Sequence, residues 1–457
     1  MTVVAAVACA LASALFLARG PEGSPGPDQA LLVLGYASLA LVICREVRRR
    51  SLGRRIVLGL SGGLLALAVA VPPTQSGDVW AYALYGRIVS HHHASPYTHA
   101  AVDYPNDPAA GRVDQVWRRT KSVYGPLFTA LSAAGMRVVG SSRLADRLFF
   151  QIVAALAIAV ALVLIDRRWR DPLALACVGL NPVIVLGVVN NAHNDALVGL
   201  AVLGAVLLAL SGRTVAAGIV GALGALVKVS ALLPVAAIAW WLWRRRGWRG
   251  ATALGVAALL TVSVAFSLAG GRAALRPLRA ASQQFTGASI WNGPQRWEAR
   301  ARVNDGVPEH VARVRARTQV ARWAVLAVGL LAALLIASRL GSASPAAPVG
   351  AAVFAYMLGA GYVYPWYAAW SLPALASEVR TRFAWVVMAH AALLQLVILR
   401  DNARLSARLP PLAMPTGSER FLDDAYRVWF PLLQVAIILA FVVQSISTMR
   451  STAAHAR

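Results

Sequence analysis

The chain has 457 residues, of which 58% are apolar and only 14% are charged, and its mean hydropathy is +0.61. Soluble globular domains contain about 25% charged residues, so this composition excludes a soluble cytosolic enzyme. A crossing needs about 20 apolar residues, and the length therefore allows at most about fifteen membrane spans. The composition predicts an all-α polytopic membrane protein.

The net charge is +25, from 44 Lys and Arg against 19 Asp and Glu. Such an excess can bind nucleic acid, but in an apolar polytopic chain the nearest anions are phospholipid headgroups. We therefore predict contact with membrane lipid and no nucleic-acid partner. The cysteines Cys9, Cys44 and Cys177 lie in apolar runs and are interpreted as small membrane-embedded hydrophobes rather than disulfide partners or metal ligands.

Apolar runs recur along the whole chain and predict about fourteen crossings, with twelve or thirteen also possible. Several runs are shorter than about 17 residues, which predicts tilted or broken helices. No basic stretch precedes the first run, so it is interpreted as a span and not as a cleaved signal. The runs are 3–18, 30–44, 57–71, 144–165, 172–189, 196–211, 214–227, 231–243, 251–269, 321–338, 347–361, 366–377, 383–399 and 428–447.

Three short connections are rich in arginine and are placed in the cytoplasm by the positive-inside rule: Arg45–Arg55, Arg167–Arg170 and Arg244–Arg249. Counting crossings from them puts both termini inside, and 72–122, 190–195, Lys228 and 270–320 outside. An odd number of crossings must separate 72–122 from Arg167, so 124–139 is predicted to be a re-entrant or interfacial helix. The arginine-dense stretch 272–320 conflicts with an outside position, unless its arginines have a task that overrides the charge bias.

This count divides the chain into five parts. N-terminal spans occupy 1–71, and an external catalytic loop with interfacial or re-entrant helices occupies 72–143. Core spans follow over 144–269, an external basic loop over 270–320, and C-terminal spans over 321–457.

The loop after the third apolar run begins with Asp78, just beyond the predicted end of a span. A partly buried carboxylate there can act as a general base toward a sugar hydroxyl. Asp is also a favoured helix N-cap, and the two roles are compatible. Residues 78–90 have apolar side chains at helical spacing, which predicts an amphipathic helix at the membrane surface.

Other polar residues of this loop have ordinary explanations that compete with functional ones. Asp103 and Asp107 in DYPNDP fit turn chemistry. The consecutive histidines His91–His93 have no closed ligand spacing, so no metal site is predicted. Tyr124 follows the cationic stretch WRRTK at a predicted water–lipid boundary, where headgroup anchoring is the default.

A cluster of polar side chains later in the chain is predicted on the same outer side. Asn190, Asn191, His193, Asn194 and Asp195 cluster at the end of an outward span. Asp195 alone would explain a helix cap, but five hydrogen-bonding side chains favour sugar or phosphate binding.

Lys228 lies in an otherwise apolar run, and an intramembrane lysine marks a functional site by default, although snorkelling to the interface is the alternative. No acidic residue precedes it nearby in its helix, so an anionic partner such as a lipid phosphate is expected.

Aromatic and cationic residues recur in the second half of the chain. Trp291 and Trp297 flank Arg296, and such residues stack on sugar rings and clamp phosphates, although an interfacial amphipathic helix explains them as well. Tyr362, Tyr364, Trp366 and Tyr367 fit either a binding surface or an aromatic belt.

In this order the motifs SGDVWAYALYGR, SPY, DYPNDP, SVYGP and HNDAL, followed by Lys228, resemble the GT-C superfamily of polytopic glycosyltransferases. They are most similar to the actinobacterial alpha-1,6-mannopyranosyltransferases that build the lipomannan backbone. The similarity covers residues 76–230, with only generic helices beyond. One departure is Ala192, where the family pattern usually has glycine.

The resemblance implies a GT-C-like bundle of about 12–14 transmembrane helices in the plasma membrane, with the active site facing outside. It implies inverting-type mannosyl transfer from polyprenyl-phosphate mannose to a mannan or lipoglycan acceptor, without nucleotide and usually without metal. Asp78 maps to the catalytic base. The implied substrate-binding residues are Arg87, Tyr124, His193, Asn194, Asp195, Lys228, Trp291 and Arg296.

Two alternatives remain open at this point. Spans broken by Gly and Pro together with an intramembrane lysine also suit a transporter or lipid flippase, although the two large polar loops are unlike each other. A GT-C transferase that uses an arabinofuranosyl or glucosyl donor would carry the same motifs.

Overall fold

In the computed structural model the described residues are 1–20, 25–282, 284–294, 319–327, 329–331, 344–407, 421, 424–440 and 443. They form helices and irregular segments, and no β-strand occurs among them. The helices are α1 Thr2–Arg19, α2 Pro25–Arg49, α3 Arg54–Ala70, α4 Asp78–Ser90, α5 Pro126–Val139, α6 Arg143–Trp169, α7 Pro172–Gly179, α8 Asp195–Leu210, α9 Thr214–Val227, α10 Leu232–Arg246, α11 Trp248–Leu268, α12 Arg272–Ala281, α13 Gln319–Leu331, α14 Ala346–Gly359, α15 Arg382–Ala407 and α16 Arg427–Ala440.

The apolar helices confirm the predicted all-α polytopic membrane protein. Within the described ranges, the helices α1, α2, α6 and α11 are long and apolar enough to cross a membrane on their own. The predicted run 172–189 is a bent pair, in which α7 meets the π-helical segment Val183–Asn190 at 46°. The other apolar helices have apolar stretches of only 10–17 residues, so the count of 12–14 crossings stays a prediction.

Two arginine-rich connections that we predicted on one side pack together at one end of the bundle, the basic end. Arg54 Nε lies 3.0 Å from a carboxylate oxygen of Asp166, which joins the first connection to the second. Arg380 pairs with Asp171 at 3.0 Å and donates to the backbone oxygen of Glu46. These contacts join the C-terminal ends of α2 and α6, the N-terminal end of α3 and the start of α7. The polar residues of interest lie at the other end, the cavity end.

The predicted span 366–377 differs in form from a normal crossing. Tyr364 lies at the cavity end and Arg380 at the basic end, yet the chain between them is two short 3₁₀ helices, Pro365–Trp370 and Ala374–Glu378. The residues of 365–376 are buried. Irregular backbone at membrane depth is tolerated only where protein encloses it. This irregular crossing (365–380) is therefore an internal wall of the bundle.

The predicted amphipathic surface helix is present as α4, but its surface position is wrong. Val79, Tyr82 and Ala83 pack into the main core, and Leu84 and Ile88 pack into a separate cluster formed by the loop. Both faces of α4 are thus covered by protein, because the loop that follows folds back over the helix.

Helix α5 has 14 residues, too few for a normal span. It begins after Gly125, whose N–H donates to Val227 O at 2.9 Å. A Cβ at Gly125 would lie 2.2 Å from the Leu226 oxygen, so only glycine allows this close approach. At the far end of α5, Arg112 of the segment 72–122, the polar loop, donates to Ser141 O. Both ends of α5 thus contact segments of the cavity end, the geometry that a re-entrant helix requires.

Candidate active site

A cavity with a volume of about 280 Å³ opens at the cavity end. One wall is formed by the start of α4 and the polar loop, and a second by the turn between α9 and α10. The third wall combines α12 and α13 with the end of α14 and the irregular crossing. Its charged lining residues are Asp78, Asp114, Lys228 and Arg322, and its aromatic ones include Tyr124, Tyr356, Tyr362, Tyr364, Trp366, Tyr367 and Trp370.

Asp78 is the first residue of α4 and faces this cavity, with 30% of its side chain exposed. Its backbone N–H donates to the Ser76 hydroxyl at 3.3 Å. Burial raises the pKa of the Asp78 carboxyl to about 6, against the opposing effect of the Lys228 charge. A carboxylate with this pKa is ionised at neutral pH and still basic enough to accept a proton.

The loop segment before Asp78 is fixed by two asparagines. Asn190 Oδ1 accepts hydrogen bonds from the N–H and hydroxyl of Thr74, and Asn191 Oδ1 accepts from the N–H groups of Gln75 and Ser76. Both amides are buried. The expectation that this whole cluster binds sugar or phosphate is therefore wrong for Asn190 and Asn191, which serve as anchors for the backbone that presents Asp78.

His193 lies behind Asp78 and does not line the cavity. Its Nδ1 is 3.8 Å from Asp78 Oδ2 and 3.5 Å from the Tyr82 hydroxyl, and its ring stacks on Trp366 at 4.0 Å. Trp366 in turn stacks on Tyr364, with centroids 4.4 Å apart. The stack links the base of α4 to the aromatic wall of the cavity.

Lys228 has a partner that its own helix does not show. Its Nζ donates to both carboxylate oxygens of Asp195, at 2.9 and 3.2 Å. The indole of Trp370 donates to the same carboxylate at 2.5 Å. Nζ also lies 4.5 Å from the centroid of the Tyr367 ring. The expectation that Lys228 needs an external anion is therefore wrong, because Asp195 reaches it from the start of a neighbouring helix.

Ala192 has a φ of 58°, within the left-handed region that favours glycine. This backbone conformation explains why the family pattern usually has glycine at this position. The strained turn brings His193 and Asp195 to their places at the start of α8. Between them, Asn194 is buried, and its side-chain amide has no hydrogen-bond partner among the described residues.

Arg87 and Trp291 do not reach the cavity, contrary to expectation. Arg87 is buried at the far end of α4, where Nε donates to Asp107 at 2.8 Å and Nη1 to Gly140 O. Trp291 is also buried, and its indole donates to Gly359 O at 2.8 Å. Both side chains are used to hold the fold. The prediction for Arg296 falls outside the described residues.

Tyr124 does line the cavity. Its ring meets that of Tyr82 edge to face, with centroids 5.0 Å apart. His92, from the consecutive histidines, donates through Nε2 to the Asp107 carboxylate at 2.8 Å and stacks on Tyr104. In the part of the chain that the structure describes, no group of three or more His, Cys, Asp or Glu side chains is arranged to hold a metal ion.

The lining residues that were not predicted include Asp114, Arg322 and Tyr356. Asp114 Oδ2 packs against Gly77, where a Cβ would lie 2.7 Å away. Arg322 is an arginine at the start of an apolar run, a feature that marks functional sites in membrane helices as Lys228 does. That signal was available in the sequence for Arg322, whereas Asp114 and Tyr356 carry no local signal.

Comparison with known proteins gives a consistent result. Residues 26–245 match the family described as alpha-(1→6)-mannopyranosyltransferase, N-terminal domain. An alpha-(1→6)-mannopyranosyltransferase B of Corynebacterium glutamicum is 23% identical over 441 residues, covering 85% of this chain and 70% of the relative.

Two relatives named alpha-(1→6)-mannopyranosyltransferase A cover less of the chain. The Corynebacterium glutamicum protein is 29% identical over 174 residues, which are 37% of this chain and 35% of the relative. The Mycobacterium tuberculosis protein is 27% identical over 232 residues, which are 47% of this chain and 44% of the relative. The matched range 26–245 contains Asp78, Asp195 and Lys228. These findings confirm the predicted resemblance: residues 26–245 match the N-terminal domain of the alpha-(1→6)-mannopyranosyltransferase family, and the chain is a multi-pass membrane glycosyltransferase that is similar to these relatives.

Proposed function

We propose that this glycosyltransferase moves mannose from polyprenyl-phosphate mannose to a mannan or lipoglycan acceptor, forming an alpha-1,6 linkage at the outer face of the plasma membrane. The observation that carries the proposal is the Asp78 carboxylate in a cavity walled by aromatic rings and lined by cations. Aromatic faces stack on pyranose rings, and a cation near a phosphate leaving group stabilises the charge that develops on it.

In the proposed reaction, Asp78 accepts the proton of the acceptor 6-hydroxyl as its oxygen attacks C1 of the mannosyl group. The bond between C1 and the phosphate oxygen breaks, and polyprenyl phosphate leaves with one more negative charge. The pKa of about 6 places Asp78 in the range where a general base works near neutral pH. The anchored 74–76 backbone fixes the start of α4 that carries Asp78, and the His193 ring lies 3.8 Å from its carboxylate.

The outward orientation is supported by the charge distribution. The basic end carries the arginine-rich connections Arg45–Arg55 and Arg167–Arg170, which the positive-inside rule assigns to the cytoplasm. Asp78 lies at the opposite end of α3, a helix of 17 residues. The cavity would then open toward the outer leaflet, where a lipid-linked donor and a lipoglycan acceptor meet.

The test is transfer in proteoliposomes that contain polyprenyl-phosphate mannose and receive a short alpha-1,6-linked mannan acceptor. Asp78→Asn should lower the rate by about 10²–10⁴-fold, the usual contribution of a general base. Asp103→Asn is the matched control, because Asp103 is an exposed carboxylate of the same loop that accepts one backbone hydrogen bond from Ala100. Its rate should equal that of the wild type. Retention of more than a tenth of the rate by Asp78→Asn, or transfer from GDP-mannose without the lipid donor, would contradict the proposal.

A further inference from the structure

Arg322 lies in the first turns of α13 and lines the cavity together with residues of α12 and the end of α14. The residue is 92% buried, since only 8% of its surface is exposed. An arginine is always charged in proteins and presents five N–H donors in a fixed plane. A buried guanidinium is costly unless its donors are satisfied, so the environment of this group is informative.

Protein contacts hold the guanidinium but do not satisfy it. One nitrogen, Nη2, donates to the Ser282 oxygen, and Cζ lies 5.0 Å from the centroid of the Phe285 ring. Gly361 packs directly against the group, where a Cβ would lie 3.0 Å from Cζ. The second nitrogen, Nη1, is buried without a hydrogen-bond partner among the described residues. The arginine is thus fixed in orientation, and its Nη1 amino group is left without a partner among the described residues.

The other charges around the cavity show why the unpartnered Nη1 group of Arg322 is important. Lys228 is neutralised by Asp195, which it contacts with two hydrogen bonds. Asp78 and Asp114 add negative charge on the wall formed by the polar loop. Among the described lining residues, Arg322 is therefore the cation that has no carboxylate partner. An anion entering the cavity is attracted toward Arg322 and repelled by the carboxylate wall.

We propose that Arg322, and not Lys228, binds the phosphate group of the lipid-linked donor and of the leaving polyprenyl phosphate. This assignment rests on the proposed function for the identity of the donor. As the C1–oxygen bond breaks, a phosphodiester monoanion becomes a monoester dianion, and the electron pair of the bond stays on the phosphate oxygen. A preoriented guanidinium stabilises this added charge more than it stabilises the donor. Arg322 is then a catalytic residue that acts on the leaving group, whereas Asp78 acts on the acceptor.

The deciding measurement is equilibrium binding of a radiolabelled polyprenyl phosphate to the purified full chain in nanodiscs, because it does not require turnover. Arg322→Gln should weaken binding by about 10- to 150-fold, the range of a charge-assisted hydrogen bond. Arg322→Lys should retain part of the affinity, since it keeps the charge but loses the planar fork. Binding of the uncharged polyprenol should be the same in all variants.

Gly361→Ala provides a second variant that keeps the arginine, because the added Cβ displaces the guanidinium that it contacts. It should also weaken polyprenyl phosphate binding. Arg276→Gln is the matched control: it removes an exposed arginine of α12 that does not line the cavity, and its affinity should not change.

Wild-type affinity in both Arg322→Gln and Gly361→Ala would overturn the assignment. Inorganic phosphate should compete only weakly, and Arg322-dependent binding of inorganic phosphate as tight as that of the lipid would assign the site to a free anion instead. The proposed function fails separately: if Asp78→Asn keeps its transfer rate while Arg322→Gln loses phosphate binding, the base is wrong and the anion site stands.

Discussion

Asp78 and Asp107 belong to the same polar loop, but the fold surrounds their carboxylates in opposite ways. Asp107 is 1% exposed and accepts hydrogen bonds from Arg87, from the Ala109 N–H and from His92. Burial alone would raise its pKa, but the hydrogen bond from Arg87 and the other contacts lower it. Asp78 is 30% exposed, and its nearest basic group is His193 at 3.8 Å.

The number of hydrogen-bond donors around each carboxylate distinguishes Asp107, which has a structural role, from Asp78, which is available for proton transfer. Every lone pair that Asp107 directs into protein is used, so its charge is stabilised and its proton affinity is low. Asp78 faces a cavity with few partners, which leaves its pKa raised to about 6 and its oxygens available. Both residues stand in ordinary sequence contexts for helix caps and turns, and the number of donors around each carboxylate is what distinguishes them.

Asp107→Asn should have the largest effect, and it tests whether Asp107 and Asp78 have separate roles. Removing one partner of a buried ion pair leaves Arg87 uncompensated and should lower the free energy of unfolding by about 3–5 kcal/mol. Denaturant unfolding in detergent would measure this loss. At a temperature where the variant is folded, its transfer rate should remain that of the wild type. A rate as low as that of Asp78→Asn in the folded variant would show that the two carboxylates do not have separate roles.

Asp195 allows a finer test, because it is paired as Asp107 is but lies beside the cavity. Trp370→Phe removes the indole donor to this carboxylate and should lower the free energy of unfolding by about 1.5–3 kcal/mol, the range for hydrogen bonds to charged groups. Trp385→Phe is the control, since that indole donates 2.8 Å to the neutral Val379 oxygen and its loss should cost only about 1 kcal/mol. An equal loss of unfolding free energy in the two variants would mean that the charge on Asp195 does not strengthen its hydrogen bond with Trp370.

The smallest expected effect is the response to pH. Because Asp78 acts as a base only when ionised, kcat/KM should rise about tenfold per pH unit below about 6 and become constant above it. The effect of pH on the free energy of unfolding has the opposite sign. Because the pKa of Asp78 is higher in the folded than in the unfolded state, its protonation favours the fold at low pH, and this contribution is lost as the pH rises through about 6. A pH–rate profile of the wild type and of Asp103→Asn should coincide. A rate that falls as the pH rises from 5 to 7 would exclude Asp78 as the base.

The sequence predicted the fold class and placed Asp78, Asp195 and Lys228 at one end of the bundle, because hydrophobic runs and charge bias are local signals. It did not predict that Asp195 pairs with Lys228, since the two residues are 33 positions apart and meet only through helix packing. The role of Arg87 was misjudged for the same reason, because Asp107 is brought to it by the fold of the loop.

The aromatic wall shows a second limit of sequence patterns. Tyr364, Trp366 and Tyr367 fit an interfacial belt equally well, and only the broken backbone of 365–370 turns them toward Asp78 and Lys228. Arg322 was overlooked because the run that contains it was counted only for its apolar residues. Its role depends on Ser282 and Gly361, which contact it from two other segments.

The irregular crossing, residues 365–380, has a consequence for how the protein is made. Two short helices of six and five residues have more terminal N–H and C=O groups than one continuous helix. Such a segment gains little by entering lipid alone, since each unsatisfied backbone group there costs several kcal/mol. We expect the translocon to release it only after α8 and α14, which precede it in the chain, have formed a surface to receive it. In its final position Trp370 donates to Asp195 at one end of the segment, and Arg380 donates to Asp171 at the other. We therefore expect the helices after residue 380 to insert once this wall has docked against the helices that precede it, so that the order of synthesis contributes to the assembly of the cavity.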